Sequence, residues 1–137
     1  MTYEQEAIAR SAIHHIQALY NNSGDRGKVD DLLTVFAPDG VLDIGRTSYT
    51  GHAAIKGFIS DVAKGATPVD LAGSRHHLTT SRIEFEGDDE AKGWTYFFVM
   101  RQGSVIQEGT YIDRYGRIDG RWLIVHRRVK MLYDIAN

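Results

Sequence analysis

The hydrophobic period of this 137-residue chain changes once, near residue 70, and that change constrains the fold more than any other feature. Before it, apolar residues recur at gaps of three and four, as on one face of an α-helix. From Arg75 onward, apolar and polar residues alternate, as in half-buried strands. Helices followed by hairpins are typical of an α+β fold, in which the helices pack on one face of an antiparallel sheet.

Three segments of the first half carry the helical spacing, at residues 3–22, 28–40 and 51–65. The stretch Asn22-Ser23-Gly24 predicts the end of the first helix, and Pro38 predicts the end of the second. The second half contains four strand-like runs, at 76–87, 91–103, 104–118 and 121–133. Short turn signals such as Gln102-Gly103 and Asp119-Gly120 separate these runs and predict an antiparallel meander. A long sheet covered by helices on one face can curl into a cone, whose apolar interior suits a small molecule.

Composition narrows the classes of protein to which the chain can belong. Hydrophobic residues make up 42% and charged residues 25%, as in an ordinary globular domain, and we expect one domain over residues 1–137. A net charge of −2 gives no basic excess for nucleic acid, and the absence of cysteine excludes disulfides and thiolate chemistry. No apolar run approaches the roughly 20 residues of a membrane span. The first ten residues carry two glutamates and no apolar core of a signal peptide, so a cytoplasmic protein is expected.

Two adjacent histidines, His76 and His77, open the first long strand. Alternation places one on each face of the sheet. His77 shares its face with Ile83 and Phe85, which predicts that this face is the buried one. A bulge in a long strand would exchange the two faces. Periodicity therefore leaves both histidines as candidates. Because adjacent strand histidines point apart, they do not form a joint metal site, and neither a metal nor a cofactor is expected.

The other candidate polar residues are Asp25, which lies between the first two helices, and Arg127, which lies on the last strand. Asp25 is a candidate helix N-cap, although Lys28 three residues later gives no capping box. Arg127 falls between Val125 and Val129 on one strand face, where it needs a counter-ion or an anionic ligand, unless it is an edge-strand charge. Aromatic residues are dense in the sheet, and some of them are candidates for lining a cavity.

Four stretches together resemble the SnoaL-like family, within the nuclear-transport-factor-2-like superfamily of cone-shaped folds. They read "ALYNNSGDRGKVDDLLTVFAPDGVLDIG", "GHAAIKGFI", "RHHLTTSRIEFEGDDEA" and "GRWLIVHRRVK". The resemblance implies three helices packed on the concave face of a curved, mainly antiparallel sheet, and a homodimer formed through the sheet. In members similar to dehydratases and dehydrochlorinases, an Asp after the first helix pairs with a His at the start of the long strand. By position this Asp and His match Asp25 and His76 of this chain, and the family's last-strand Arg matches Arg127. Thr80 stands at a position where members of the family often have Asn.

The resemblance implies a cofactor-free lyase, isomerase or cyclase that abstracts a proton from a small apolar or aromatic molecule. Asp25, His76 and Arg127 are the expected catalytic residues. The residues expected to line the pocket are Tyr20, Trp94, Tyr96 and Tyr111, with His77 as the competitor of His76. The same fold also serves non-catalytic small-molecule-binding or assembly domains, which is the alternative interpretation. Nothing in the sequence specifies the substrate.

Overall fold

A computed structural model describes residues 1–66 and 70–136 of the chain. The helices of this part are α1 (Tyr3–Asp25), α2 (Val29–Leu33) and α3 (His52–Ala63). Its strands are β1 (Phe36–Asp43), β2 (Ser48–Thr50), β3 (Arg75–Phe85), β4 (Glu90–Arg101), β5 (Ser104–Ile118) and β6 (Arg121–Asp134). No helix in the described ranges is long and apolar enough to cross a lipid bilayer.

The strands form one curved, six-stranded sheet in the order β2-β1-β6-β5-β4-β3. All neighbouring pairs are antiparallel except β1 and β6, which run parallel. The expected α+β fold with a mainly antiparallel sheet is confirmed, and the sheet stays open rather than closing into a barrel. Because β6 lies between β1 and β5, Arg127 is not on an edge strand.

Two helix ends differ from those expected from the sequence. The helix α1 begins at a capping box of Thr2 and Gln5 and continues through Asn22-Ser23-Gly24 to Asp25. It stops before Gly27, whose φ of +68° lies in the left-handed region. The helix α2 ends at Leu33, five residues before Pro38, because Phe36 already pairs with Ile124 of β6 in strand β1.

Irregularities in strand pairing accompany the curvature of the sheet. Register shifts occur within β3, between Leu78 and Ser81, and within the β5–β6 hairpin. One shift follows Glu108, where Gly109 leaves no room for a side chain: a Cβ there would collide with the Lys130 carbonyl and lie 2.8 Å from the Phe97 ring. Bulges increase local twist and bend a strand, so the sheet curves around the core at these positions.

The core lies between the helices and the concave face of the sheet. Ile13 of α1, Leu32 of α2, Ile55 of α3 and Ile124 of β6 are all buried in one cluster. The opposite, outer face of the sheet has no described helix against it and keeps Tyr96 54% exposed. The two faces therefore offer different environments to strand residues that are adjacent in sequence.

Candidate functional site

A cavity of about 550 Å³ lies between the helices and the concave face of the sheet. Most of its walls are apolar and come from every helix, from β1 and from β6. These apolar residues include Leu32, Leu42, Ile44, Phe58, Ile59, Val62, Val129 and Met131. The end of α1 and the start of β3 contribute the polar groups Asn21, Asp25 and His76, and charged residues border the cavity as well, namely Arg46, Arg128, Lys130 and Asp134. This combination of apolar walls with a few convergent polar groups is typical of a small-molecule site.

Asp25 and His76 are in direct contact at the wall of this cavity. One carboxylate oxygen, Oδ1, lies 2.7 Å from His76 Nδ1, and the other, Oδ2, accepts the backbone N–H of His76 at 3.0 Å. The side chains are 15% and 19% exposed, respectively. Asp25 thus holds both the backbone and the ring of His76, which fixes the orientation of the imidazole. Asp25 does not cap α2, whose N-cap is Lys28.

A bulge in β3 explains why His76 rather than His77 faces the cavity. His76 and Leu78 point inward, and after the register shift the inward residues are Ser81 and Ile83. His76 pairs across the strands with the buried Val99, whereas His77 pairs with Phe98 and stacks on its ring at 4.9 Å. The alternation that grouped His77 with Ile83 is therefore interrupted between the two residues.

Three residues expected to line the pocket lie elsewhere, on the outer face of the sheet. The structure contradicts this placement for His77, Trp94 and Tyr96, none of which borders the cavity. Trp94 packs beneath the charged ends of Arg82 and Lys92, and Tyr96 is 54% exposed. The reason is the period of the strand: Thr95 and Phe97 alternate with them and take the inward positions. Tyr20 and Tyr111 do border the cavity.

Arg127 faces inward but does not border the cavity. Its Nε and Nη2 atoms donate to the two oxygens of Asp113, each at 2.9 Å, and both side chains are 0% exposed. The rings of Tyr20 and Tyr111 cover the guanidinium, with their centroids 4.3 Å and 4.0 Å from its central carbon. The expected position of Arg127 at the polar end of the pocket is wrong, because an internal counter-ion and two aromatic rings enclose it.

Burial shapes the ionisation of this cluster. It raises the pKa of the Tyr111 phenol, and the neighbouring Tyr20 adds to that effect while Arg127 opposes it. Burial is also the main cause that raises the pKa of Tyr20. Burial alone would lower the pKa of Arg127, but Asp113 more than offsets this, and the net pKa lies well above its ordinary value. The arginine therefore keeps its charge and both phenols keep their protons near neutral pH.

Polar residues of α1 connect this cluster to the sheet. Gln17 donates to the hydroxyls of Tyr115 at 2.9 Å and Thr95 at 3.2 Å, and Tyr115 donates to Asp113 at 2.6 Å. Asn21 donates to the hydroxyl of Tyr111 at 3.0 Å. Buried polar groups bonded in this way hold α1 in one register on the sheet.

Asn21, Gln17 and Asp113 were not among the residues expected from the sequence. Gln17 and Asn21 continue the helical stripe of Ile13 at steps of four, which is a signal that they face the sheet. Asp113 lies two residues after Tyr111 and so shares its strand face. A polar residue within an otherwise apolar face is the signal that marks all three.

The cavity-facing pair has the geometry of a general base. A carboxylate that accepts Nδ1–H leaves Nε2 of neutral histidine unprotonated, and Nε2 of His76 has no hydrogen-bond partner within the described parts of the chain. Such a nitrogen can accept a proton from a ligand in the cavity. Among residues 1–66 and 70–136, no three histidine or carboxylate side chains cluster as metal ligands.

Fold and site together define a cone-shaped α+β protein with a cavity beside an Asp–His contact. The model of the SnoaL-like domain matches residues 5–128, and the chain belongs to that family. No match to the chain was found among curated protein sequences.

Solved structures of similar shape include proteins with different assigned activities. A LinA-type hexachlorocyclohexane dehydrochlorinase from Novosphingobium barchaimii LL02 is 18% identical with a TM-score of 0.82, over 96% of this chain and 92% of that one. A provisionally assigned scytalone dehydratase from Novosphingobium aromaticivorans DSM 12444 is 18% identical with a TM-score of 0.80, over 95% and 88%. A Nostoc punctiforme protein of unknown function with a cystatin-like fold is 23% identical with a TM-score of 0.82, over 91% and 92%. At these identities the likeness establishes the fold.

Proposed function

We propose that this chain is a cofactor-free lyase, isomerase or cyclase that removes a proton from a small apolar or aromatic substrate. The observation that carries the proposal is the clamp that both oxygens of Asp25 place on His76 at the cavity wall. The names of two similar structures, a dehydrochlorinase and a provisionally assigned scytalone dehydratase, support a lyase-type reaction.

In the proposed mechanism His76 is the base and Asp25 is its partner. The C–H bond of the substrate breaks, its proton moves to Nε2 of His76, and the electron pair stays on the substrate. The imidazole becomes an imidazolium, which the Asp25 carboxylate at 2.7 Å stabilises. The electron pair then expels a leaving group in a lyase, or reacts at another carbon in an isomerase or cyclase.

The role proposed for Arg127 differs from the catalytic role that the family resemblance implied. Asp113 and two tyrosine rings occupy its surroundings, so it has no direct route to a ligand in this conformation. We propose that it supports the reaction indirectly, by holding Tyr20 and Tyr111 in position at the cavity wall.

The test uses 1-tetralone, a bicyclic ketone whose C–H bonds beside the carbonyl are acidic and whose size suits the cavity. In D₂O, ¹H NMR follows the replacement of these hydrogens by deuterium. The wild-type protein should accelerate the exchange, and Asp25→Asn or His76→Ala should each reduce the acceleration by about 10²–10⁴-fold. The double variant should lose little more than either single one, because groups that act as a unit are strongly non-additive.

His77→Ala is the matched control, because it removes the same side chain one residue away on the outer face. Its exchange rate should equal that of the wild type. Exchange that survives in His76→Ala and disappears in His77→Ala would contradict the assignment of the base. A protein that binds 1-tetralone without accelerating exchange would favour the non-catalytic binding domain instead.

We further propose that the outer face of the sheet pairs with a second copy of the chain. This face carries the exposed Tyr96, the half-buried Trp94 and the His77–Phe98 stack without a described helix over them. Exposed aromatic patches of this kind commonly mark interaction sites. Light scattering at micromolar concentration should give the mass of a dimer, and Tyr96→Glu should shift it towards that of a monomer. A wild-type monomer would contradict the pairing.

A further inference from the structure

A second cavity, of about 520 Å³, lies at the other end of α1 from the Asp25–His76 contact. It is formed by the first half of α1, by the turn between β5 and β6, and by the turn between β3 and β4. It shares none of its lining residues with the cavity at His76. No step of the proposed proton transfer uses it, so its role is a separate question.

Much of the lining of this second cavity is apolar. The helix α1 contributes the small side chains Ala9 and Ala12, which are three residues apart and therefore share one helical face. Ile16 and Trp122 are 8% and 7% exposed, whereas Ile8 at the rim is 71% exposed. Two short side chains on one face leave space that the chain does not fill. Such a lining suits the hydrocarbon part of a ligand.

Charged residues border the same cavity, and one arginine among them has no acidic partner in the described part of the chain. Arg117 is bound by Asp89, whose Oδ1 atom lies 2.9 Å from its Nε and 2.8 Å from its Nη2. Asp88 lies 3.0 Å from the amino group of Met1. Arg121 forms no ion pair or side-chain hydrogen bond with any residue that the structure describes. The cavity thus combines apolar walls with a positive charge that these residues do not neutralise.

The start of α1 does not provide a competing site for an anion. Its capping box is complete: the Thr2 hydroxyl accepts the N–H of Gln5 at 3.1 Å, and the Gln5 side chain accepts the N–H of Thr2 at 2.8 Å. The exposed ring of His15 also borders the cavity, and when protonated it adds to the positive charge of Arg121. Arg121 is therefore the group that would recognise an anionic ligand.

We propose that the second cavity binds a small carboxylic acid with an apolar chain or ring. The carboxylate lies at Arg121, and the hydrocarbon part lies against Ala12 and Trp122. A guanidinium can donate two parallel N–H bonds to a carboxylate. Because Arg121 is exposed, water weakens this interaction, and the expected preference over a neutral ligand is about two- to fivefold. The inference is independent of the proposed function.

The experiment titrates ¹⁵N-labelled protein with octanoate and with octanamide, which has the same chain length and a neutral headgroup. The readout is the indole N–H signal of Trp122, because Trp122 borders this cavity and not the one at His76. Trp94→Phe identifies the signal by removing the other indole of the chain. Octanoate should shift the Trp122 signal with a dissociation constant about two- to fivefold lower than that of octanamide.

Variants at exposed positions separate charge from apolar contact. Arg121→Gln should abolish the preference for octanoate and leave the binding of octanamide unchanged. Ile8→Glu places a negative charge at the rim and should weaken octanoate more than octanamide, whereas Ile8→Gln should weaken both by the same factor. Arg46→Gln is the matched control, because Arg46 is an exposed arginine that borders only the other cavity, and it should leave the preference unchanged.

Three results would overturn the inference. The first is a Trp122 signal that neither compound shifts, and the second is a preference for octanoate that persists in Arg121→Gln. The third is a Trp122 signal that moves when the protein alone is diluted, which would assign the cavity to contact with a second copy of the chain. His76→Ala should titrate as the wild type does, so the outcome is separate from that of the proton-transfer proposal.

Discussion

Two aspartate contacts, Asp113 with Arg127 and Asp25 with His76, lie within the same cone and differ in what surrounds them. Asp113 binds Arg127 with both oxygens, and Asp25 binds the ring and backbone of His76 with both oxygens. The first pair is 0% exposed on both sides, whereas the second is 15% and 19% exposed at a cavity wall. Similar bonding is thus found in a sealed environment and in an open one.

The difference in exposure determines which pair can take part in chemistry. The sealed pair has its charges compensated internally, and a ligand could reach it only by displacing two tyrosine rings. The open pair has a ring nitrogen without a described partner beside the cavity. We therefore expect substitutions in the sealed pair to damage mainly the stability of the fold, and substitutions in the open pair to damage mainly activity.

The largest effect should follow from breaking the sealed pair. Arg127→Leu leaves the Asp113 carboxylate buried and uncompensated, which should lower the free energy of unfolding by about 3–5 kcal/mol. Urea denaturation measures this change. Arg128→Leu is the control, because Arg128 is the exposed neighbour of Arg127 and its loss should alter stability by about 0.5 kcal/mol or less. A loss below about 1 kcal/mol in Arg127→Leu would show that the pair is not sealed.

Alkaline pH should weaken the same region. The pKa values of Tyr20, Tyr111 and Tyr115 are raised in the folded state from an ordinary 10.0, first of all by burial. Above that value the unfolded chain loses phenolic protons that the folded chain keeps, so stability is fully present below it and falls as pH rises. Each tyrosine contributes up to about 1.4 kcal/mol per pH unit.

Urea denaturation between pH 8 and pH 11 measures the slope of this fall. Tyr111→Phe removes one of the titrating groups, so its stability should decline less steeply than that of the wild type. Tyr3→Phe is the control, because Tyr3 is 89% exposed and should leave the slope as it is. Equal slopes for wild type and Tyr111→Phe would contradict the sealed environment of Tyr111.

A smaller change in stability is expected for the open pair. Asp25→Asn keeps the shape of the side chain but replaces one of its two accepting oxygens with an NH₂ group, so one hydrogen bond to His76 is lost and the unfolding free energy should fall by about 1.5 kcal/mol. The variant should melt cooperatively and retain its circular dichroism spectrum. A loss as large as that of Arg127→Leu would mean that Asp25 is chiefly structural.

The smallest effect should come from the outer face. His77→Ala removes a ring that stacks on Phe98, and it should change stability by about 0.5 kcal/mol or less. Thermal unfolding of His77→Ala and His76→Ala, both in the Tyr96→Glu background so that no second copy covers the outer face, tests the assignment of faces. A larger loss in His77→Ala than in His76→Ala would contradict that assignment.

The sequence predicts the fold because period and turn signals are local. The strand runs and the turn at Asp119-Gly120 fall where the structure has β3 to β6. The helix end at Asp25 and the early start of β1 at Phe36 were missed, since Phe36 follows the helical spacing but gains its partner from β6. That pairing is a tertiary contact, and the local sequence pattern carries no information about it.

The site was less predictable than the fold, because strand bulges determine which side chains face the cavity and which residues lie opposite each other. Counting back from the Asp119-Gly120 turn pairs Asp113 with His126, whereas the shift after Arg114 brings it opposite Arg127. The shift in β3 likewise turns His76 inward although Ile83 shares the alternation of His77. A bulge of one residue exchanges faces and leaves little trace in composition.

The role proposed for His76 depends most directly on the protonation of its ring. Long-range ¹H–¹⁵N NMR of histidine-labelled protein distinguishes the two neutral tautomers and, in a pH titration, the imidazolium. If His76 is the base, its neutral ring carries the proton on Nδ1, bonded to Asp25, with Nε2 unprotonated, and 1-tetralone should perturb the Nε2 resonance more than any signal of His77. A neutral His76 with the proton on Nε2, or a ring that 1-tetralone leaves unperturbed, would contradict a base facing the cavity.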